Sequence, residues 1–264
     1  MNETLTTSIR RRAARGGILP RTEDLYSAEG ARFYDDLVGG DRSEIREFLA
    51  LARPVHGRIL DLAAGGGRIT IPLLSIGKSV TAIDLADDML DILRAATPPH
   101  ADLDIVRADM RGFDIDHRFD LVVIAATSII LLDADGRRRL FETVQRHLAP
   151  GGRFAFSVAG AAAAAELRRT VDRTIPVTRG GRPIDYLSSQ EVVADGAERI
   201  VNFAPIGQGE SSPIFTTRLH IVDEAMASSE LVSAGFAPPI VHPVRTGAGR
   251  PGEAIVILET SWPH

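Results

Sequence analysis

The sequence predicts a doubly wound α/β fold on a mostly parallel, seven-stranded sheet, with an N-terminal helical flap and an antiparallel β insertion. Three observations carry this reading. Between about residues 57 and 159, short apolar runs alternate with segments of helical periodicity. Those runs are apolar throughout, the pattern of parallel strands covered on both faces. From 182 to 222 the pattern changes to polar–apolar alternation, with Asp195-Gly196 as a hairpin turn signal. At 264 residues, 44% hydrophobic and 25% charged, the chain can bury a core of this kind without staples.

The elements follow in order. The basic cluster Arg10, Arg11, Arg12 and Arg15 reads as a solvated tail, or more sharply as a contact for an acidic substrate or RNA. Helical spacing covers 28–37 and 43–51, split by Gly39-Gly40-Asp41, with Ser43 as a candidate cap. Residues 58–63 form a buried strand, followed by a glycine loop and a helix from about Gly67. Strands at 79–83 and 104–108 end at Asp84 and Asp109, with a helix at 86–95 between them. The most apolar strand is 119–126, followed by a helix at 134–148, for which Asp133 and Asp135 are candidate caps, and a strand at 153–158. Helical spacing resumes at 161–171, then alternation covers 182–193, 198–203 and 212–222. A helix at 224–234 stops at Gly235, and strands at 240–244 and 253–259 complete the sheet. The expected organisation is a tail and flap over 1–56 and a ligand-binding domain over 57–264, with 182–222 as the insertion covering the acceptor site.

Composition excludes several chemistries. With no cysteine there is no disulfide, thiolate nucleophile, Cys-ligated zinc or iron–sulfur cluster. A net charge of -5 disfavours generic nucleic-acid binding. No apolar run is long enough to span a membrane, and no signal-peptide core is present, so a cytoplasmic location is the default. The seven histidines are scattered, without H-x-H or H-E-x-x-H, and no metal is expected. A homodimer is left open.

The informative stretch is Ile59-Leu60-Asp61-Leu62-Ala63-Ala64-Gly65-Gly66-Gly67-Arg68. Small residues between a strand and a helix let a ligand approach the backbone. Asp61 precedes the loop, Asp84 ends the next strand and Asp109 the third. A diphosphate would be repelled by a carboxylate at Asp61, whereas an ammonium would be held. Asp84 stands where an acid accepts from ribose hydroxyls, and Asp109 can accept from an adenine amino group. The ligand that wants all three contacts is S-adenosylmethionine. A G-x-G-x-x-G count from Gly65 also fails, since Thr70 stands in the last place. Blander readings pair Asp61 with Arg58 or Lys78, make Asp84 and Asp109 helix caps, and give Arg68 a surface salt bridge.

The stretches LDLAAGGG (60–67), TAIDLADDML (81–90), RADM (107–110), FDLVVIAATS (119–128) and LAPGG (148–152) together resemble the class I S-adenosylmethionine-dependent methyltransferases, a Rossmann-like family. Ala63 replaces that family's first loop glycine. The resemblance implies that Asp61, Ala63, Ala64, Gly65 and Gly67 surround the methionine part of the cofactor. It puts Asp84 and Leu85 at the ribose with Met89 nearby, Asp109 and Met110 at the adenine, and Ala125 beside the sulfonium. Thr127-Ser128, unlike Asn/Asp-Pro-Pro-aromatic, argues against exocyclic amines of nucleic-acid bases, and Ser157-Val158-Ala159 lacks the Asp-Asn pair of metal-dependent catechol-type enzymes.

A finer resemblance is to bacterial N,N-dimethyltransferases of aminosugar biosynthesis. It rests on Tyr34-Asp35, Asp109-Met110, Thr127-Ser128 and the insertion. It implies that Tyr34 approaches the cofactor or the acceptor amine, in a role of proximity and orientation. Where those enzymes often carry a histidine, Ile129-Ile130-Leu131-Leu132 is apolar, suggesting a greasier acceptor such as a daptide-type peptide with a terminal amine. Tyr26, Tyr34, Ser128 and Tyr186 are candidates for binding a small-molecule or peptide acceptor, although Tyr34 also reads as a core aromatic beside Phe33, and His220 as a core histidine. The expected reaction is methyl transfer to an amine nitrogen. O- or C-methylation is the alternative on this fold. An NAD(P)-dependent oxidoreductase or epimerase, or a non-catalytic nucleotide-binding protein, is the alternative of another class.

Overall fold

The computed structural model describes residues 3–16, 21–207, 212–246 and 252–263. The chain opens with α1 (Thr7–Gly16), β1 (Thr22–Asp24), α2 (Ala28–Val38) and α3 (Ile45–Ala52). Strands and helices then alternate as β2 (Ile59–Leu62), α4 (Thr70–Ser75), β3 (Val80–Asp84), α5 (Asp87–Ala96), β4 (Leu103–Arg107) and β5 (Phe119–Ile124). α6 (Ala134–His147), β6 (Leu148–Ala159) and α7 (Ala161–Leu167) follow. A run of strands comes next, β7 (Val171–Arg179), β8 (Arg182–Val193), β9 (Glu198–Pro205) and β10 (Ile214–His220). The chain ends with α8 (Glu224–Ser233), β11 (Ile240–Pro243) and β12 (Ile255–Ser261). No helix among the described residues is long and apolar enough to cross a membrane. Two compact units result, one from residues 42–164 and 222–264, the other from 1–41 and 165–221.

The larger unit holds a seven-stranded sheet in the order β11-β12-β6-β5-β2-β3-β4. β2 pairs in parallel with both β3 and β5. Only β12 and β11 run antiparallel to their neighbours, β12 closing against β6. Ile59, Val80, Leu121 and Val123 pack under Phe48 and Leu51 of α3 and under Ile69 and Leu73 at α4. Since β3 and β4 extend the sheet one way from β2, and β5 and β6 the other, the strand order reverses at β2. In such sheets a ligand crevice opens at the carboxyl ends beside that reversal. α6 is capped as expected, with Asp133 Oδ1 accepting from Gly136 N at 2.7 Å.

The smaller unit is a five-stranded sheet, β1-β10-β9-β8-β7, antiparallel except for β1 against β10. One face meets the N-terminal segment, where Leu5 and Ile9 pack on Ala204, Ile214 and Leu187. A polar pin fixes it there. Asn202, fully buried, accepts from Thr6 N at 2.7 Å and donates to Thr4 O and Thr216 Oγ1, both at 2.9 Å. The other face meets α2, whose Phe33 stacks on Phe215 at 4.5 Å and lies against Tyr186 and Phe203 at 4.7 and 5.2 Å.

Four expectations change. The basic segment is a helix, because an apolar edge, Leu5 and Ile9, has a sheet to bury against. Ser43 does not cap α3; Glu44 takes the N-cap place in a left-handed conformation, φ 69°. Helical spacing at 161–171 ends early, and β7 begins at Val171, where Val171, Thr174, Ile175, Val177 and Thr178 favour a strand and Pro176 forbids a helix. The boundaries 1–56 and 182–222 do not coincide with the two units, since α3 belongs to the larger one and the smaller resumes at residue 165. Residues 208–211, inside the expected insertion, lie outside the described residues.

Asn202→Ala would leave the Thr6 amide without its acceptor, while Thr216 Oγ1 still donates to Thr4 O at 2.7 Å. It should lower stability by about 1–3 kcal/mol in urea unfolding and make the N-terminal segment the earliest site of limited proteolysis.

Candidate cofactor site

Asp61 is the third residue of β2, in register with Ala82 and Val123. Its side chain is 2% exposed. Neither bland partner holds it: Arg58 pairs with Asp104 at 2.6 Å, and Lys78 donates to the carbonyls of Val55 and Arg53 at 2.6 and 3.0 Å. Instead Thr70, at the start of α4, donates its hydroxyl to Oδ2 at 2.6 Å. Burial pushes the Asp61 carboxyl up to about 7; the Thr70 hydroxyl and the Arg68 guanidinium oppose the rise, and the neighbouring Asp84 adds to it.

The loop after β2 is shaped by backbone that side chains resist. Ala63, Gly65 and Gly67 have φ of 54°, 55° and 93°. A Cβ on Gly67 would lie 2.5 Å from Leu93 Cδ1, so the loop hugs α5 at that point. Ala64 and Met89 are buried at the same place. The Gly65 amide donates to Asp84 Oδ2 and the Ala86 amide to Oδ1, each at 2.9 Å. A carboxylate has about four lone-pair positions, so Asp84 keeps capacity for two further donors. Beside it Leu85 is 58% exposed, an apolar surface at the sheet's rim.

Asp109 is arranged differently. Both its oxygens face Arg111, whose Nε lies 3.0 Å from each and whose terminal nitrogen lies 2.5 Å from Oδ2. These hydrogen bonds hold the carboxyl below its ordinary value. An adenine amino group would therefore share Asp109 with a guanidinium, while Met110 beside it stays partly exposed.

The wall after β5 is the part the sequence did not show. Ala125 is buried, and Ala126 and Thr127 both have left-handed backbone, φ 55° and 54°. Such residues are held only by surroundings that over-determine them. Thr127 N donates to Ser157 Oγ at 2.8 Å, and Ser128 N to Ala125 O at 3.0 Å. Ala126 N donates at 2.9 Å to Oε2 of Glu44, a fully buried glutamate. The same Glu44 oxygen pairs with Arg68, whose other terminal nitrogen donates to Ser43 O at 2.7 Å. Glu44 Oε1 is buried without a hydrogen-bond partner. Sequence reasoning missed Glu44 because an acid at a helix start ordinarily serves only the helix dipole.

The candidate acceptor tyrosines lie in the smaller unit. Tyr34 is half-buried and meets Tyr26 edge to face, with ring centroids 5.0 Å apart. Tyr186 is 3% exposed in the aromatic layer with Phe33, so it packs the core rather than lining a surface. His220 is half-buried near Glu198 at 3.7 Å, not in the core.

A buried carboxylate, a glycine loop and a rim carboxylate at a topological switch point define a nucleotide-binding α/β protein whose ligand carries a cationic head. A family model described as "Methyltransferase domain" matches residues 59–152. The solved structure of the glycopeptide N-methyltransferase MtfA with sinefungin is 34% identical, covering 84% of this chain and 93% of that one, with a TM-score of 0.61. MtfA has also been solved with S-adenosyl-L-methionine and S-adenosyl-L-homocysteine. A putative methyltransferase of Bacillus subtilis, YqeM, is 35% identical over 133 residues, 48% of this chain and 53% of the relative. A dTDP-4-amino-2,3,4,6-tetradeoxy-D-glucose N,N-dimethyltransferase of Saccharopolyspora spinosa is 27% identical over 139 residues, 50% of this chain and 55% of the relative. The chain thus spans about half the length of these curated relatives. It belongs to the S-adenosylmethionine-dependent methyltransferases.

Two outcomes follow from the geometry. Asp61 is raised, so its protonated form is favoured in the unliganded fold; its contribution to stability is present below about pH 4 and is lost as pH rises through about 7. A cationic ligand needs the ionised form. S-adenosylhomocysteine affinity, measured calorimetrically, should therefore rise about tenfold from pH 6 to 8, with proton release, and be nearly flat in Asp61→Asn. Separately, Glu44→Ala takes a buried carboxylate from Arg68 and the acceptor from the Ala126 amide. It should lower stability by about 3–5 kcal/mol, and Glu44→Gln by less, in urea unfolding.

Proposed function

We propose that this protein transfers a methyl group from S-adenosylmethionine to an amine nitrogen of a small molecule or natural-product peptide. The observation that carries the nitrogen assignment is the 34% identity to a glycopeptide N-methyltransferase over 84% of the chain, well beyond the stretch 59–152. The likeness to an aminosugar N,N-dimethyltransferase supports it.

The residues fit the cofactor. Asp84 at the rim keeps two acceptor positions, and the ionised form of buried Asp61 suits an ammonium where a diphosphate would be repelled. Asp61 with Ala63, Ala64, Gly65 and Gly67 would hold the methionine part. Asp84 would accept from the ribose diol with its two remaining positions, flanked by Leu85 and Met89. Met110 and Asp109 would bound the adenine, and Ala125 the sulfonium. When bound, the cofactor supplies an electrophilic methyl carbon that a neutral amine's lone pair can displace from sulfur. No covalent nucleophile of the protein is required, so the chain's contribution is orientation and the exclusion of water. The Glu44-held turn at Ala126–Thr127 keeps the wall beside Ala125 rigid for that purpose. Ser128, which follows that wall in the same unit, is the proposed acceptor contact.

Asp84→Ala should weaken S-adenosylhomocysteine binding by roughly 1–3 kcal/mol in calorimetry, from lost hydrogen bonds to a charged group. With methyl-labelled S-adenosylmethionine, amine-bearing peptides and aminosugars should become labelled on nitrogen, and their N-acetylated forms should not. Equal labelling of both forms, or binding of NAD with no response to S-adenosylhomocysteine, would sink the proposal.

A further inference from the structure

We propose that the open cleft between α1 and strands β7 and β8 binds a small molecule through a diphosphate group, with Arg11, Arg12 and Arg15 as its cationic wall. The cleft lies within the smaller unit, and nothing in it depends on the methyl-transfer reading.

α1 has two working edges. Leu5, just ahead of the helix, and Ile9 seat it on the sheet beside Leu187. Ser8, Arg11, Arg12 and Arg15 fall at i, i+3, i+4 and i+7, so they share a different edge. All four line a cleft of about 780 Å³, whose other side is formed by residues 170–172 at the start of β7 and 189–192 of β8. A cleft of that volume takes a ligand of small-molecule size. The three arginines are exposed, so their charges are within a ligand's reach. Among the described residues none of them has an ion pair or a hydrogen bond. Like charges at i and i+4, as at Arg11 and Arg15, work against a helix. A cation in the last turn favours the helix dipole, but that accounts for Arg15 alone.

The carboxylates lining the cleft are Asp172 and Glu191, and both are engaged at the other end of α1. Asp172 Oδ2 accepts from Ser8 Oγ at 2.6 Å. Glu191 accepts from the Thr7 amide through Oε2 and from the Thr7 hydroxyl through Oε1 at 3.0 Å, and Arg10 stands 4.0 Å from Oε1. These acids serve the first residues of the helix, where its dipole is positive. Nearby, Glu166 is taken by Arg169 and Arg173. Hydroxyls of the cleft are committed too. Ser189 Oγ shares a hydrogen bond with Thr6 Oγ1 at 2.7 Å, and Thr170 Oγ1 accepts from Val192 N at 3.2 Å. What remains for a ligand is the wall of guanidinia, each with five N–H donors.

Guanidinium forks match phosphate oxygens in pairs. A carboxylate brings one charge and a phosphate monoester about two, fewer than the three cations of the wall. Two adjacent phosphates match it better, because Arg11 and Arg15 stand about 6 Å apart along the helix axis. The formal net charge of -5 opposes a long polyanion such as RNA, so a local cationic wall suits a compact one.

The test is calorimetric titration of the whole chain, at fixed ionic strength, with inorganic diphosphate, uridine diphosphate, inorganic phosphate and sulfate. Both diphosphates should bind at least about tenfold more tightly than phosphate or sulfate, and at least about tenfold more weakly to Arg11→Gln/Arg15→Gln. Equal affinity for the two diphosphates assigns the diphosphate group alone, and tighter uridine diphosphate assigns a nucleotide. Arg94→Gln/Arg138→Gln, which removes the same charge from α5 and α6, should bind as wild type does. Asp172→Asn keeps an acceptor for Ser8 and removes a repelling charge, so it should bind diphosphate severalfold more tightly. Without ligand, the Arg11/Arg15 variant should unfold no earlier than wild type. Equal binding of sulfate and diphosphate, or affinity unchanged in the Arg11/Arg15 variant, would overturn the proposal. So would an equal loss in the Arg94/Arg138 control, or an RNA oligomer that binds more tightly than either diphosphate. Should the Arg11/Arg15 variant unfold much earlier, Asp172→Asn decides: tighter binding upholds the proposal, and unchanged or weaker binding rejects it.

Discussion

A carboxylate set inside a parallel sheet is out of reach of water, and its charge must be met by something fixed. At Asp61 the protein supplies only part of that compensation, a hydroxyl from Thr70 and the more distant field of Arg68. Burial therefore leaves the group near the point of neutralisation, and a cationic ligand would supply what is missing. The rest of the site is arranged around this incompleteness. Arg68 cannot lean wholly toward Asp61, because Glu44 and the Ser43 carbonyl also hold it. Glu44 in turn grips the amide of Ala126. One chain of charged contacts thus links the start of α3, the glycine loop and the end of β5. A change at any member is felt at the other two, as expected for groups sharing a network in a low-dielectric place.

Half of the non-glycine residues with left-handed backbone among those described lie in or beside that network. They are Ala63, Ala126, Thr127 and, at its far end, Glu44. Each such residue costs on the order of 1 kcal/mol or more. Here the amide and carboxylate contacts hold the geometry in place, so the wall beside Ala125 keeps its shape before any ligand arrives.

The two units use different physics for different ends. The seven-stranded sheet buries aliphatic side chains under helices and leaves its carboxyl edge for polar chemistry. The five-stranded sheet is pinned on one face by Asn202 and layered with aromatics on the other. On that sheet Arg179 and Arg218 pair with acids, whereas Arg199 donates to the amide of Gln190.

Local pattern was enough for the α/β alternation, the existence of strands β2 to β6 along the chain, and the positions of Asp61, the glycine loop and Asp84, because each depends on residues close in sequence. Short apolar runs bounded by turn signals suit covered strands, and a strand end brings its acid to the rim wherever the strand goes. Tertiary structure alone decided the rest. Glu44 finds Ala126 across 82 positions, and Asn202 finds Thr6 across 196. β1 has three residues and stands only by pairing with β10, and α1 exists because a sheet face is there to receive Leu5 and Ile9. Asp109, like Asp84, ends a strand, but Arg111 occupies its carboxylate. Buried partners so far apart leave no periodicity or spacing to read. Their pairing is set by which surfaces the fold presses together, and that is a property of the packed chain.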